Sequence, residues 1–293
     1  MLFFVSDFFV VVKLFDLADY RHRVDALAAV VVGKSGTDGL LGKNGTGKST
    51  LLYLMSGLLR PVEGSVGFTT DDGQTLAPQE RRPATLRDTF LLPEEVDMPS
   101  VRLRDYVALH RPFYPRFSQE ILESGLREFE LPLDINLGEV SMGQKKKALV
   151  CFALAANTHL LLMDEPTNGL DIPAKSQFRK IVSQCATDDR VIVISTHQVR
   201  DIELLLDRMV IIRGTHLQLD SSVGEVCEHL SFEERSVDAP MDDVLYAEPS
   251  LRGQSVICPN TNGADTTLNL ELLFNALQSC PEKVLQYLPS HTL

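Results

Sequence analysis

Positive charge is what this chain has too little of. Its 28 Lys and Arg face 40 Asp and Glu, a formal net charge of −12. A protein that grips nucleic acid regardless of sequence needs a basic surface to displace counterions from phosphates, so no nucleic-acid partner is expected. The deficit is uneven. Residues 221–293 carry 11 acids and 3 bases, −8 of the −12, which reads as a solvated acidic surface. Paired cysteines are also missing. Cys151, Cys185, Cys227, Cys258 and Cys280 are odd in number, widely spaced and form no C-x-x-C. Neither a disulfide framework nor a zinc site is indicated, and a reducing compartment fits. No stretch reaches 18 apolar residues. Met1 to Val12 is apolar but broken by Ser6 and Asp7, too short to span a bilayer, and without a basic leader. Any membrane role must therefore run through a partner. Repeats and low-complexity tracts are absent, and the 44% hydrophobic content suits a soluble globular chain with a sizeable core.

Against these absences stands Gly42-Lys43-Asn44-Gly45-Thr46-Gly47-Lys48-Ser49-Thr50, a match to G-x-x-x-x-G-K-[ST]. Glycines leave backbone N–H groups free to turn inward toward phosphate oxygens. Lys48 adds a point charge near the β- and γ-phosphates, and the Ser49 hydroxyl can ligate Mg²⁺. Chance would supply these four fixed positions in about one chain in a hundred of this length. The context removes that explanation: Leu40-Leu41 precede the loop as the end of a strand, and Leu51 to Leu59 follow as a helix.

The rest of the chain reads as alternating strands and helices. Phe8 to Leu14, Leu27 to Val32 and Ser65 to Thr70 have strand composition. Gly33 to Gly39 reads as a glycine-rich turn, and Thr37 to Leu41 is polar for a central strand. Leu160 to Met163 and Val191 to Ser195 are short, uniformly apolar runs, the pattern of strands buried on both faces of a parallel sheet. Helical segments, Gly143 to Ala156 and Ala174 to Ala186, alternate with them. Val101 to Leu131 is helical, broken at Pro112 and Pro115. The expectation is an α/β core with a mostly helical insert over about 91–140. After Asp220 a small appendage is expected: a short helix over Ser222 to Leu230, a Pro-, Gly- and Asn-rich stretch over Glu248 to Asp265, and an amphipathic helix over Leu268 to Leu277.

Chemistry gathers at strand ends. The run Leu160 to Met163 leads into Asp164 and Glu165. Ligands of open α/β sheets bind at the carboxyl ends of strands, so both acids should face the phosphate loop. Asp164 can share Mg²⁺ with Ser49, and Glu165 is placed to orient and deprotonate an attacking water. His197 ends the next apolar strand, where it can reach a γ-phosphate oxygen or that water.

Together these residues resemble the ATP-binding subunits of ABC transporters, over roughly residues 8–220. Val140-Ser141-Met142-Gly143-Gln144 resembles that family's L-S-G-G-Q signature, and Lys145, Lys146 and Lys147 form a basic helix start behind it. Asp164 to Asp171 resembles its Walker B segment and D-loop, and Ser195-Thr196-His197 its switch region. Glu94 lies where the family's glutamine loop is expected, as a further candidate Mg²⁺ ligand. Tyr20, 22 residues before Gly42, lies about where the family places an aromatic ring on adenine. The resemblance implies a phosphate-loop ABC-type ATPase fold, a mixed sheet flanked by helices, over 1–220, with residues 221–293 appended. It implies MgATP as ligand, and a head-to-tail dimer with itself or a paralogous subunit. Each ATP would be gripped by residues 42–50 of one subunit and by Ser141, Gly143 and Gln144 of the other. It also implies a separate transmembrane permease, which would place the chain on the cytoplasmic face of a membrane.

A helix N-terminus at Ser141 is physically suited to an anion. Met142 replaces a small signature residue, and Glu94 adds negative charge where the family has Gln. Phe113-Tyr114-Pro115-Arg116-Phe117 in the insert is either core or, if exposed, a docking patch. A soluble ABC-type regulator of another macromolecule is the rival reading, although such relatives usually carry two ATPase halves or a long coiled-coil insert. A phosphate-loop kinase would give no reason for the SMGQ segment.

Overall fold

The protein is described by a computed structural model over residues 9–14, 30–32, 35–61, 64–69, 75–214 and 216–289. Its strands run β1 (Phe9–Leu14), β2 (Val30–Val32), β3 (Gly36–Leu41), β4 (Gly64–Thr69), β5 (Thr75–Leu76), β6 (Thr89–Leu92), β7 (Leu160–Asp164), β8 (Val191–Thr196), β9 (Arg208–Arg213), β10 (His216–Ser222), β11 (Leu230–Arg235), β12 (Tyr246–Ser250) and β13 (Gly253–Pro259). The helices are α1 (Lys48–Met55), α2 (Pro83–Arg87), α3 (Leu103–His110), α4 (Gln119–Glu128), α5 (Met142–Ala155), α6 (Ile172–Cys185), α7 (Val223–His229), α8 (Leu270–Ser279) and α9 (Pro281–Leu285).

The main sheet has the order β10-β9-β3-β8-β7-β6. Five of its strands are parallel and β10 returns antiparallel beside β9. Every residue of β7 and β8 is buried, because both faces are covered. Side chains alternate between the two sides. Leu160 and Leu162 join α1 and β4 in one core; Leu161 and Met163 join α5 and α6 in another. A second, antiparallel sheet, β2-β1-β4-β5, and a third, β11-β13-β12, complete the strands. Among the described residues no helix is long and apolar enough to cross a membrane.

One expectation needs correction, and one segment without an expected element gains two strands. The segment read as a turn from Gly33 to Gly39 is strand from Gly36 onward, and β3 sits centrally between β8 and β9. Its glycine is there for close packing: a Cβ on Gly39 would come 2.7 Å from a Leu206 methyl carbon. The polar Thr37 and Asp38 are nonetheless buried, and the Thr37 N–H donates to the Asp207 carboxylate at 2.8 Å. The Pro-, Gly- and Asn-rich segment from Glu248 to Asp265, for which the sequence suggests no element, contains most of a hairpin, β12 and β13, with Ser250 paired to Gly253. Pro249 is tolerated because β12 is an edge strand, where a missing N–H costs no ladder bond.

The insert splits the aromatic segment. Tyr114 and Phe117 pack on Phe152 of α5, with ring centroids 6.1 and 5.6 Å away, whereas Phe113 is 65% exposed.

Candidate nucleotide site

The phosphate-loop segment leaves the carboxyl end of β3 and enters α1. Gly42 has no room for a side chain, since a Cβ would lie 2.7 Å from Thr46 Oγ1 and 2.9 Å from the Ile212 carbonyl. Gly45 and Gly47 take φ of 81° and 88°, a region that L-residues with a Cβ avoid. Gly45 is exposed, and the space where its Cβ would stand is open. Thr46 closes the turn on itself through its N–H (3.3 Å) and hydroxyl (2.9 Å) to the Lys43 carbonyl. Gly47 caps α1 without a side chain, so the first-turn N–H groups of Lys48, Ser49 and Thr50 receive no side-chain cap. An open, glycine-lined approach and an uncapped helix tip fit an anionic phosphate.

Lys48 is 6% exposed and donates to the Gly42 and Lys43 carbonyls at 2.8 and 3.2 Å. Its ammonium also lies 3.7 Å from Glu165 Oε1. Burial pushes its pKa below the usual lysine value, and the neighbouring Glu165 and Asp164 charges push back.

The acids sit at the end of the strand two positions over. Asp164, paired in register with Ser195, accepts from the Ser195 hydroxyl. Glu165 then turns the chain with a φ of 43°. Its side chain is buried and fully engaged: Oε2 accepts from Thr196 Oγ1 at 2.9 Å, and Oε1 from the His197 N–H at 3.1 Å. His197 Nδ1 lies 2.8 Å from the same Oε1. A carboxylate only accepts, so Nδ1 donates and Nε2 is left for another partner. Lys48, Glu165 and His197, far apart in sequence, are thus brought together at one sheet edge.

Ser141 stands at the N-terminus of α5 in a capping box: its hydroxyl accepts from the Gln144 N–H at 3.3 Å, and Gln144 Oε1 accepts from the Ser141 N–H at 3.1 Å. Ser141 and Gln144 are exposed, Gly143 is half-buried against the Gly169 carbonyl, and Met142 is 61% exposed. Glu94 is exposed and accepts from Asn168 Nδ2 at 2.9 Å. Tyr20 lies outside the described residues. Among those residues no group of three or more His, Cys, Asp or Glu converges as a metal site. Mg²⁺ commonly takes one or two carboxylates plus substrate phosphates, so Asp164 with Ser49 suits it without such a cluster.

Sequence reasoning missed Lys146, which is buried behind Glu165 and Asn168 and donates to both their carbonyls. Three consecutive lysines on a helix point in directions about 100° apart. Together the three span about 200°, an arc that a half-exposed helix can keep out of its core, so the sequence carries no signal that singles out Lys146.

A mixed sheet flanked by helices, with a glycine loop leading from a central strand into a helix, defines the phosphate-loop α/β class. The family model described as ABC transporter matches residues 30–168. The molybdenum import ATP-binding protein ModC of Mycobacterium tuberculosis is 30% identical over 72% of this chain and 58% of its own length. The ABC transporter ATP-binding protein YtrB of Bacillus subtilis is 27% identical over 68% of this chain and 67% of its own. In fold, a solved ATP-binding subunit of an ABC transporter superposes with a TM-score of 0.64, at 24% identity, over 74% of this chain and 91% of that one. Over residues 30–168 the chain carries an ABC transporter family domain, and the relatives it resembles are ABC transporter ATP-binding proteins. It spans only 39, 67 and 44% of the length of three of its curated relatives.

Proposed function

We propose that this chain binds MgATP and hydrolyses it as the ATPase subunit of an ABC transporter, closing head to tail on itself or a paralogous subunit and driving a separate permease from the cytoplasmic face of the membrane. Residues 1–220 form the ATP-binding domain, with the helical insert over about 91–140, and residues 221–293 an acidic appendage. One observation carries the reading: the Glu165 carboxylate is held between Lys48 and His197 at the strand edge that also carries the glycine loop.

Residues 42–50 bind the phosphates through the loop and helix-tip N–H groups. Lys48 exchanges its contacts with the Gly42 and Lys43 carbonyls for phosphate oxygens. Ser49 and Asp164, with Glu94 nearby, hold Mg²⁺, which supplies charge neutralisation at the phosphates. Glu165 is the general base for water. For that it must yield one of its donors, and His197 is the one able to leave, because it is partly exposed and can turn toward a γ-phosphate oxygen. Ser141, Gly143 and Gln144 present the tip of α5 to the ATP of the opposite subunit, where helix-end N–H groups favour an anion. Tyr20 is the candidate to stack on adenine.

The test is the mass in solution of Glu165→Gln with and without MgATP. A nucleotide-dependent doubling from 32.6 kDa, reversed by removing Mg²⁺, is expected for a self-pairing chain. For a chain that pairs with a paralogue, the gain comes on adding that subunit. Saturated ATP binding with no association in either arrangement rejects the clasp.

A further inference from the structure

We propose that Lys146 is a positioning residue for hydrolysis: it holds the backbone of Glu165 and thereby ties the angle of the catalytic carboxylate to the tip of α5. The inference rests on the ATPase reading and adds a residue to it.

The Lys146 side chain is 5% exposed and reaches from the second turn of α5 to the Glu165 carbonyl at 2.7 Å and the Asn168 carbonyl at 3.1 Å. The same Glu165 carbonyl also accepts from the Asn168 N–H at 3.1 Å, so residues 165–168 form a turn that Lys146 closes from behind. That turn begins at the strained point of the site. A non-glycine residue at a φ of 43° is strained, and it persists only where the surrounding structure holds it there. A buried ammonium is itself costly, and an ion-pair partner would normally offset it. Here its direct partners are two main-chain carbonyls, while Glu94, Glu165 and Asp164 contribute only a surrounding negative field. Filling space would not require a charge. Gripping two carbonyls does.

The geometry also makes α5 a strut fixed at both ends. At its far end the fully buried Arg190 donates to the Leu154 and Ala153 carbonyls at 3.2 and 3.3 Å. At its near end Ser141 caps the helix five residues before Lys146. Asn168 passes the connection on to Glu94 through its side-chain amide. A shift of the α5 tip therefore moves the backbone that aims Glu165, with Lys146 as the link.

The test compares the wild-type chain, in its functional assembly, with Lys146→Met and Lys146→Arg. Met keeps the length and loses the donors; Arg keeps a cationic donor. A displaced general base costs about 10–10² in rate. Lys146→Met should lower kcat by that factor with KM for ATP within twofold, and Lys146→Arg should recover part of it. Amide hydrogen exchange at residues 165–170 should quicken in Lys146→Met while β7 and β8 stay protected. If Lys146→Met is unstable, Lys146→Gln, which keeps a neutral donor, takes its place with a smaller loss of kcat expected. A kcat within twofold of wild type overturns the inference. So does a joint loss of kcat, KM and global protection, which marks a merely structural lysine. A wild-type chain without turnover rejects the ATPase reading instead. The exchange rates then decide by themselves whether Lys146 holds the turn, and unchanged rates overturn it.

Discussion

The edge of the main sheet and the C-terminal sheet treat charge in opposite ways. At the sheet edge, Lys48, Lys146, Asp164 and Glu165 are all buried, and one of them has a strained backbone. At the C-terminal sheet the ion pair reaches solvent: the half-buried Arg235 meets Asp243 through two parallel bonds at 2.6 and 2.8 Å, with most of the Asp243 side chain in solvent. Burial there is left to Val256, Ile257, Leu270, Leu273 and Leu277. Buried charge destabilises and is kept where it acts on something; apolar burial stabilises. The comparison implies that substitutions at the sheet edge change rates, whereas substitutions in the appendage change stability.

The largest effect tests the first half. Glu165→Gln keeps the size and hydrogen-bonding reach of the side chain but removes the base. Turnover is expected to fall by about 10²–10⁴ with ATP still bound. Steady-state phosphate release with a parallel binding isotherm measures both, and normal turnover would remove Glu165 from the chemistry. The next effect tests the other half. Leu273→Ala, in the fully buried face of α8, should cost about 2–5 kcal/mol in a denaturant titration. Turnover per folded molecule should stay within twofold. A large loss of turnover at unchanged stability would break the division between the two regions.

That division was partly legible beforehand. That Lys48, Glu165 and His197 would meet was readable, because each follows a strand whose carboxyl end lies on the ligand side of an open α/β sheet. The strands β7 and β8 are readable because burial on both faces leaves no polar position. Three features were not readable, each for a tertiary reason. The Thr37-Asp38-Gly39 segment of β3 is polar in sequence, but Asp207 satisfies the Thr37 N–H and Leu206 fills the space left by Gly39. Pro249 and Gly253 suggest no strand, yet an edge position admits the proline. Gly253 has φ 146° and approaches the Arg235 carbonyl so closely that a Cβ would stand 2.0 Å away. Lys146 read only as part of a basic helix start, and the fold alone shows that it turns inward.

A finer contrast comes from one device used twice. Ser141 with Gln144 and Ser222 with Glu225 both form capping boxes, one at the proposed nucleotide face and the other entering the appendage. Replacing either serine by Ala should cost about 1 kcal/mol of stability. Only Ser141→Ala should also weaken ATP-dependent association, and equal association in the two variants would remove Ser141 from the interface.

The smallest effect concerns the pair of Arg235 and Asp243. Arg235 holds the Asp243 carboxyl at about 2, below its ordinary 3.8. A depressed carboxylate contributes stability above its unfolded value and loses it as pH falls through the folded one, so the contribution disappears between about pH 4 and 2. Because the Asp243 carboxylate faces water, Asp243→Asn should barely change the melting temperature at neutral pH. Carbon-detected NMR titration of the Asp243 carboxyl checks the shift itself. A midpoint near 3.8 would show that the pair does not persist in solution. The appendage would then rest on its apolar face alone, which sharpens the contrast with the sheet edge.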